Sequence, residues 1–119
     1  MHCLDTSALI ELLRGSKKGG KVKELLEDSL STTALSVHEL LIGVGDNEAE
    51  IVEDFLKGFE ILSYDVGGAS KSAAIEMSLS RQGKKINVID VLIAGICMNA
   101  SRTLISTDCL LYTSPSPRD

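Results

Sequence analysis

Residues 83–108 read GKKINVIDVLIAGICMNASRTLISTD, and the reading of this stretch decides the fold. Asp90 stands inside an apolar run made by Ile86, Val88, Ile89, Val91, Leu92, Ile93, Ala94, Ile96 and Cys97. A segment apolar on every side is expected to be a helix buried in a core. Helical spacing puts Asp90 on one stripe with Ile86, Ile93 and Cys97, so its carboxylate is expected to point into or along the core. An unpaired charge there costs on the order of several kcal/mol. It requires a buried hydrogen-bond partner, a basic side chain, or a cation shared with other carboxylates. No Lys or Arg lies inside the run, which favours the shared cation or an opening at the end of a sheet.

Working outward, Thr103–Ser106 is β-capable and follows the Asp90 helix. Ahead of that helix, Ala69 to Gln82 is expected to be a long helix ended by Gly83. At the start of the chain, His2 to Leu4 is a short strand ending at Asp5, and Thr6 or Ser7 is a candidate cap for a helix over Ala8 to Leu13. Arg14, Lys17, Lys18, Lys21 and Lys23 form a basic stretch with no acid in it, leading to an amphipathic helix near Val22 to Glu27. Ser31 to Leu35 is expected to be a strand. Ser36 opens a helix to about Gly43, Asp46 caps another through Ile51, Phe55 and Phe59, and Glu60 to Tyr64 is a third strand with a turn at Asp65. Strands separated by helices imply an α/β fold, a central parallel sheet with both faces covered. Ligands of such sheets sit beyond the carboxyl ends of the strands, where Asp5 ends the first strand and Asp108 follows the fourth.

At 119 residues the chain is one domain. Aromatics are 3% with no Trp, so the core is aliphatic and nucleic-acid contact would rest on phosphates more than on base stacking. A net charge of −5 argues against a generally basic nucleic-acid binder, while leaving room for one whose acids are gathered and neutralised in a metal site. The N-terminus lacks a basic region and a small-residue cleavage site, and no apolar run reaches spanning length, so a cytoplasmic protein with no membrane segment is expected. Cys3, Cys97 and Cys109 lack metal-ligand spacing, and Cys3 and Cys97 lie where Cys packs as a small hydrophobe. His2 and His38 are isolated, which makes a zinc site a poor match.

Four acids occupy positions that could converge: Asp5, Glu39, Asp90 and Asp108. Asp5 taken alone could be an N-cap. Ser36-x-x-Glu39 also reads as a capping box, and Asp108 as a turn former. Together they match what Mg²⁺ or Mn²⁺ requires, hard oxygen ligands whose mutual repulsion a divalent cation relieves. Paired ions of this kind activate a water and orient a phosphodiester for in-line attack.

The blocks LDTSALIELLRG, TTALSVHELLIGV, GKKINVIDVLIAGICMNA and TLISTD, in this order over residues 1–108, resemble PIN-domain ribonucleases, most closely the VapC-type toxins of toxin–antitoxin pairs. The resemblance implies a three-layer α/β/α domain over residues 1–108 and a metal-dependent endoribonuclease. Asp5, Glu39, Asp90 and Asp108 would hold Mg²⁺ or Mn²⁺, and hydrolysis would leave a 5′-phosphate and a 3′-hydroxyl. Ser7 and Ser106 match the family's hydroxyl positions, with Thr6 beside them, and would orient carboxylates or water. A homodimer and a small antitoxin whose C-terminal segment blocks the acidic groove are also implied. Lys17 and Lys18, and separately Arg81, Lys84 and Lys85, are candidate phosphate contacts on the RNA.

The family continues past its fourth acid with an aromatic residue and a last edge strand. Here residues 109–119 read CLLYTSPSPRD, which back-translates without mismatch to the read-through of a common transposase sequencing adapter. An assembly artefact is therefore expected over 109–119, the alternative being a disordered tail. Two other functions stay open: an inactive PIN-like scaffold binding RNA or protein, and a receiver-like Mg-binding signalling domain. The receiver reading calls for adjacent acids after the first strand and a late Lys, whereas Asp5 stands alone and no Lys follows Lys85.

Overall fold

Strand residues alternate between two cores in a computed structural model, which describes residues 1–26 and 30–107. Strands β1 (His2–Leu4), β2 (Ser31–Thr33), β3 (Glu60–Leu62) and β4 (Thr103–Ile105) form one sheet in the order β3-β2-β1-β4, with every pair parallel. Cys3 pairs with Leu104, and Leu4 with Ile105. Successive side chains point to opposite faces, so Cys3 and Leu104 pack with Ile93 and Cys97. Leu4 and Ile105 pack with Ala8, Leu9, Val22, Leu40 and Val52. One aliphatic core lies on each face of the sheet, as the three-layer α/β/α expectation requires.

The helices are α1 (Thr6–Arg14), α2 (Lys17–Leu26), α3 (Ala34–Val44), α4 (Ala49–Leu56), α5 (Val66–Arg81) and α6 (Val88–Asn99), with a 3₁₀ turn at Asp46–Glu48. Residues from α1 to α4 make the Leu4 core, and α6 covers the Cys3 face with α5 packed along it. No helix of the described residues is long and apolar enough to cross a membrane. β2 is three buried hydroxyl residues, and each finds an acceptor. Ser31 Oγ donates to His2 O at 2.6 Å, Thr32 Oγ1 to Leu4 O at 2.7 Å, and Thr33 Oγ1 to Ser36 Oγ at 3.2 Å. The Ser31 and Thr32 bonds stitch β2 to β1, and the Thr33 bond reaches α3, all without the cost of an unpaired polar group.

Most element boundaries differ from expectation through capping. Asp5, not Thr6 or Ser7, caps α1 by accepting from Ala8 N at 2.9 Å. Thr33, not Ser36, caps α3, accepting from Ser36 N at 3.1 Å. Asp65 caps α5 through Gly68 N, so that helix starts at Val66, before Ala69. Asp46 opens a 3₁₀ turn, and α4 ends at Leu56, before Phe59. β2 stops at Thr33, which is itself the cap of α3, and β3 stops at Leu62, three residues before the cap Asp65.

One correction concerns function. Asp90 is exposed, not buried. The buried side of α6 is Val91, Ile93, Ala94, Gly95, Ile96 and Cys97, and the first turn, with Val88 at 52% exposure, projects past the core. The stripe that Asp90 shares with Ile93 and Cys97 therefore leaves the apolar layer before it reaches the carboxylate. The division of the chain at residue 108, Asp108 itself and Cys109 lie outside the described residues.

Candidate functional site at the carboxyl end of the sheet

In this parallel sheet β2 lies on one side of β1 and β4 on the other, so the strand order reverses at β1 and leaves a crevice at the carboxyl ends. α1 and α3 start directly after β1 and β2, and α6, which precedes β4, also starts at this end. Their N-termini bring partial positive charge there.

Asp5 ends β1. Its backbone N–H donates to Ile105 O at 3.0 Å, tying it to β4. Its carboxylate accepts from Ala8 N at 2.9 Å and from Ser7 Oγ at 2.8 Å, both at Oδ1. Ser7 reaches further: its Oγ lies 3.3 Å from Ser106 Oγ and accepts from Thr107 N at 3.0 Å. Thr6 turns the other way, and its Oγ1 donates to Glu39 Oε1 on α3. One three-residue turn thus ties the end of β1 to both neighbouring connections. Glu39 is not part of a capping box, because the cap of α3 is Thr33 and the third helical position is Ser36. Its side chain is half-buried and directed to Thr6.

Asp90 stands in the first turn of α6, where its N–H donates to the Asn87 side chain at 3.3 Å. Ile89 beside it packs against the Cys3 cluster, as do Leu35 and Leu62. Since Leu35 follows β2 and Leu62 ends β3, α6 begins at the same end of the sheet as Asp5 and Glu39. The structure thus joins Asp5, Thr6, Ser7, Glu39 and Ser106 through hydrogen bonds and puts Asp90 at the same end. Among the described residues, no group of three or more His, Cys, Asp or Glu side chains could hold a metal ion as the chain stands.

The chemistry of the donors nonetheless suits a hard cation. Asp5 and Glu39 offer carboxylate oxygens, and the bonds each accepts fall on a single oxygen, Oδ1 and Oε1. Oδ2 and Oε2 are therefore the oxygens suited to a cation. Cys3 and Cys97 are fully buried in the core behind this end. The Cys97 thiol is pushed far up by its hydrogen bond to Cys3, then by burial, then by the charges of Cys3 and Asp5. Such a thiol is inert packing and no ligand.

The basic candidates are all exposed: Lys17 and Lys18 at the start of α2, Arg81 at the end of α5, and Lys84 and Lys85 between α5 and α6. Three caps escaped the sequence reading: Asn87, Thr33 and Asp65, the last read there only as a turn. Each is an Asn, Asp or Thr three residues before the N–H it caps, a local signal that was open to use.

Comparison with known proteins bears on the family and the fold. The family model described as PIN domain matches residues 2–110. The chain is 26% identical over 100 residues to the tRNA(fMet)-specific endonuclease VapC of Shigella flexneri, covering 77% of this chain and 74% of that one. It is 30% identical over 94 residues to ribonuclease VapC3 of Methanocaldococcus jannaschii, covering 78% and 94%. A toxin–antitoxin complex from Klebsiella pneumoniae shares the fold, with a TM-score of 0.77 at 18% identity over 89% of this chain and 85% of that one.

Proposed function

We propose, for a chain that belongs to the PIN domain family, that it is an endoribonuclease, the toxin of a toxin–antitoxin pair, and that its hydrolysis of RNA depends on Mg²⁺ or Mn²⁺. The observation that carries the reading is the linked turn Asp5-Thr6-Ser7, which aligns Asp5 with Glu39 on one side and with Ser106 and Thr107 on the other. Ribonuclease VapC3 is a relative over most of its length.

In this reading Asp5, Glu39, Asp90 and Asp108 are the ligands. The chemistry a divalent cation supplies there, when bound, is activation of the attacking water and neutralisation of phosphodiester charge. The chain's own residues do the positioning. Ser7 and Ala8 N fix one oxygen of Asp5, and Thr6 fixes one oxygen of Glu39. Asp90 stands exposed in the first turn of α6, beside the partial positive charge of the helix N-terminus. Exposed Lys84 and Lys85, before α6, offer phosphate contacts to a strand approaching Asp90, and Arg81, Lys17 and Lys18 are the further candidates.

The partners are a second copy of the chain and a small antitoxin. A largely apolar groove of about 630 Å³ between α1, α3 and α4, lined by Ile10, Leu13, Leu40, Val44, Ile51 and Val52 together with the charged Arg14 and Glu48, supports an antitoxin segment. It shares α1 and α3 with the acidic end of the sheet.

The test is cleavage of a mixed RNA pool with Mg²⁺ or Mn²⁺, with EDTA, and with Asp90→Asn. Cutting is expected to vanish in EDTA and to fall by on the order of 100-fold or more in the variant, as for loss of a preorganised charge at a reacting centre. A folded chain that cuts nothing with either metal would sink the nuclease reading in favour of a binding scaffold.

A further inference from the structure

Glu39 presents a problem of order. Its side chain has three rotatable torsions and takes no part in capping its own helix, so α3 alone does not decide where its carboxylate points. The described bond that decides it comes from Thr6, 33 positions away, whose Oγ1 donates to Glu39 Oε1.

Thr6 is suited to that task by its surroundings. It is the first residue of α1, immediately after Asp5. Asp5 is held from two sides, by its N–H on Ile105 O and by its side chain on Ala8 N, so the backbone of Thr6 is anchored to β1 and β4. A β-branched side chain on an anchored backbone has few χ1 choices. A hydroxyl there is a stiff donor, and α1 packs against α3, which carries Glu39. A hydroxyl donating to a carboxylate is a charge-assisted bond, stronger and more directional than one between neutral groups.

We infer that Thr6 is the positioning residue of Glu39. By engaging Oε1 it presents Oε2 to the cation, and it transmits the position of the β1–β4 pair to an acid on the far side of the crevice. The assignment rests on the nuclease reading and adds to it a division of labour within one turn: Asp5 is a ligand, Ser7 holds the β4 side, and Thr6 holds the α3 side.

The test measures Mn²⁺ binding by calorimetry without RNA, for the wild-type chain, Thr6→Val, Thr6→Ser, Glu39→Gln and Thr6→Val/Glu39→Gln. Circular dichroism and thermal melting verify that each is folded, and kcat and KM are measured alongside. Thr6→Val, which keeps the shape and loses the hydroxyl, is expected to weaken Mn²⁺ binding about tenfold, as for residues that orient metal ligands. It should lower kcat while leaving KM for RNA unchanged. Thr6→Ser restores the hydroxyl and is expected to recover binding to within about threefold of wild type. In the Glu39→Gln background, Thr6→Val should cost nothing further, since the two act as a unit.

Wild-type binding by Thr6→Val overturns the assignment. So does a Thr6→Ser defect as deep as that of Thr6→Val, or a full Thr6→Val defect in the Glu39→Gln background. In those cases the wild-type chain still binds Mn²⁺ and cuts RNA, and the nuclease reading stands. A wild-type chain that does neither overturns both.

Discussion

Asp90 sits in the most apolar helix of the chain, yet its carboxylate is exposed. It stands at the start of α6, where Asn87 caps the first turn and receives the Asp90 N–H. Ser7 is a different kind of residue, half-buried, with its hydroxyl divided between Asp5 Oδ1 at 2.8 Å and Thr107 N at 3.0 Å. Ser7→Ala leaves that N–H and one oxygen of Asp5 without the Ser7 hydroxyl. It is expected to lower stability by about 1–2 kcal/mol, a typical loss for bonds in a partly buried site. Cleavage should fall by about tenfold or more, as for other ligand-orienting groups. Urea denaturation and initial cleavage rates measure the two effects. A variant as stable and active as wild type would remove Ser7 from the site.

At the scale of elements, helix–helix approach is set by glycines whose neighbours leave no room. A Cβ on Gly95 of α6 would lie 2.6 Å from Ser72 Cβ and 2.8 Å from Gly68 O on α5. Gly95→Ala is expected to destabilise the fold by about 1–3 kcal/mol through overpacking. Gly20→Ala on α2, where a Cβ meets nothing within 4 Å, should raise stability by about 0.5–1 kcal/mol through helix propensity. Opposite shifts in melting temperature are the expected outcome, and a stabilising Gly95→Ala would contradict the close packing of α5 on α6. The start of α2 also differs from expectation. The sequence places that helix only near Val22, after the basic stretch. It begins at Lys17, where Ser16 Oγ accepts from Gly19 N at 3.0 Å, and α2 packs against α1 so closely that a Cβ on Gly19 would lie 2.2 Å from Glu11 O.

For the whole molecule, net charge and local charge act separately. The chain carries −5 overall, yet Lys84 and Lys85 stand exposed just ahead of the helix that bears Asp90. Reversing both to Glu is expected to weaken RNA binding and to flatten its salt dependence, by about 0.7 in log K against log salt for each phosphate of a single strand that is no longer neutralised. Binding isotherms at several salt concentrations measure this. An unchanged slope would move the RNA path away from these lysines and leave Lys17 and Lys18 as the candidates.

The sequence by itself determined the alternation of strands and helices and the parallel α/β class. It also determined the place of Asp5 at the end of β1, because periodicity, β-branched runs and turn residues act over a few neighbours. The hydroxyls of Thr6, Ser7 and Ser106 stand out as candidates through the resemblance to PIN-domain ribonucleases, though not what each one touches. Tertiary structure decided the rest. The order β3-β2-β1-β4 makes the crevice, and α6 overruns its core so that Asp90 meets solvent. Thr6 and Glu39, 33 positions apart, meet only because α1 packs on α3. Burial and long-range hydrogen bonds depend on where one element ends relative to another, and no local pattern in either element encodes that distance.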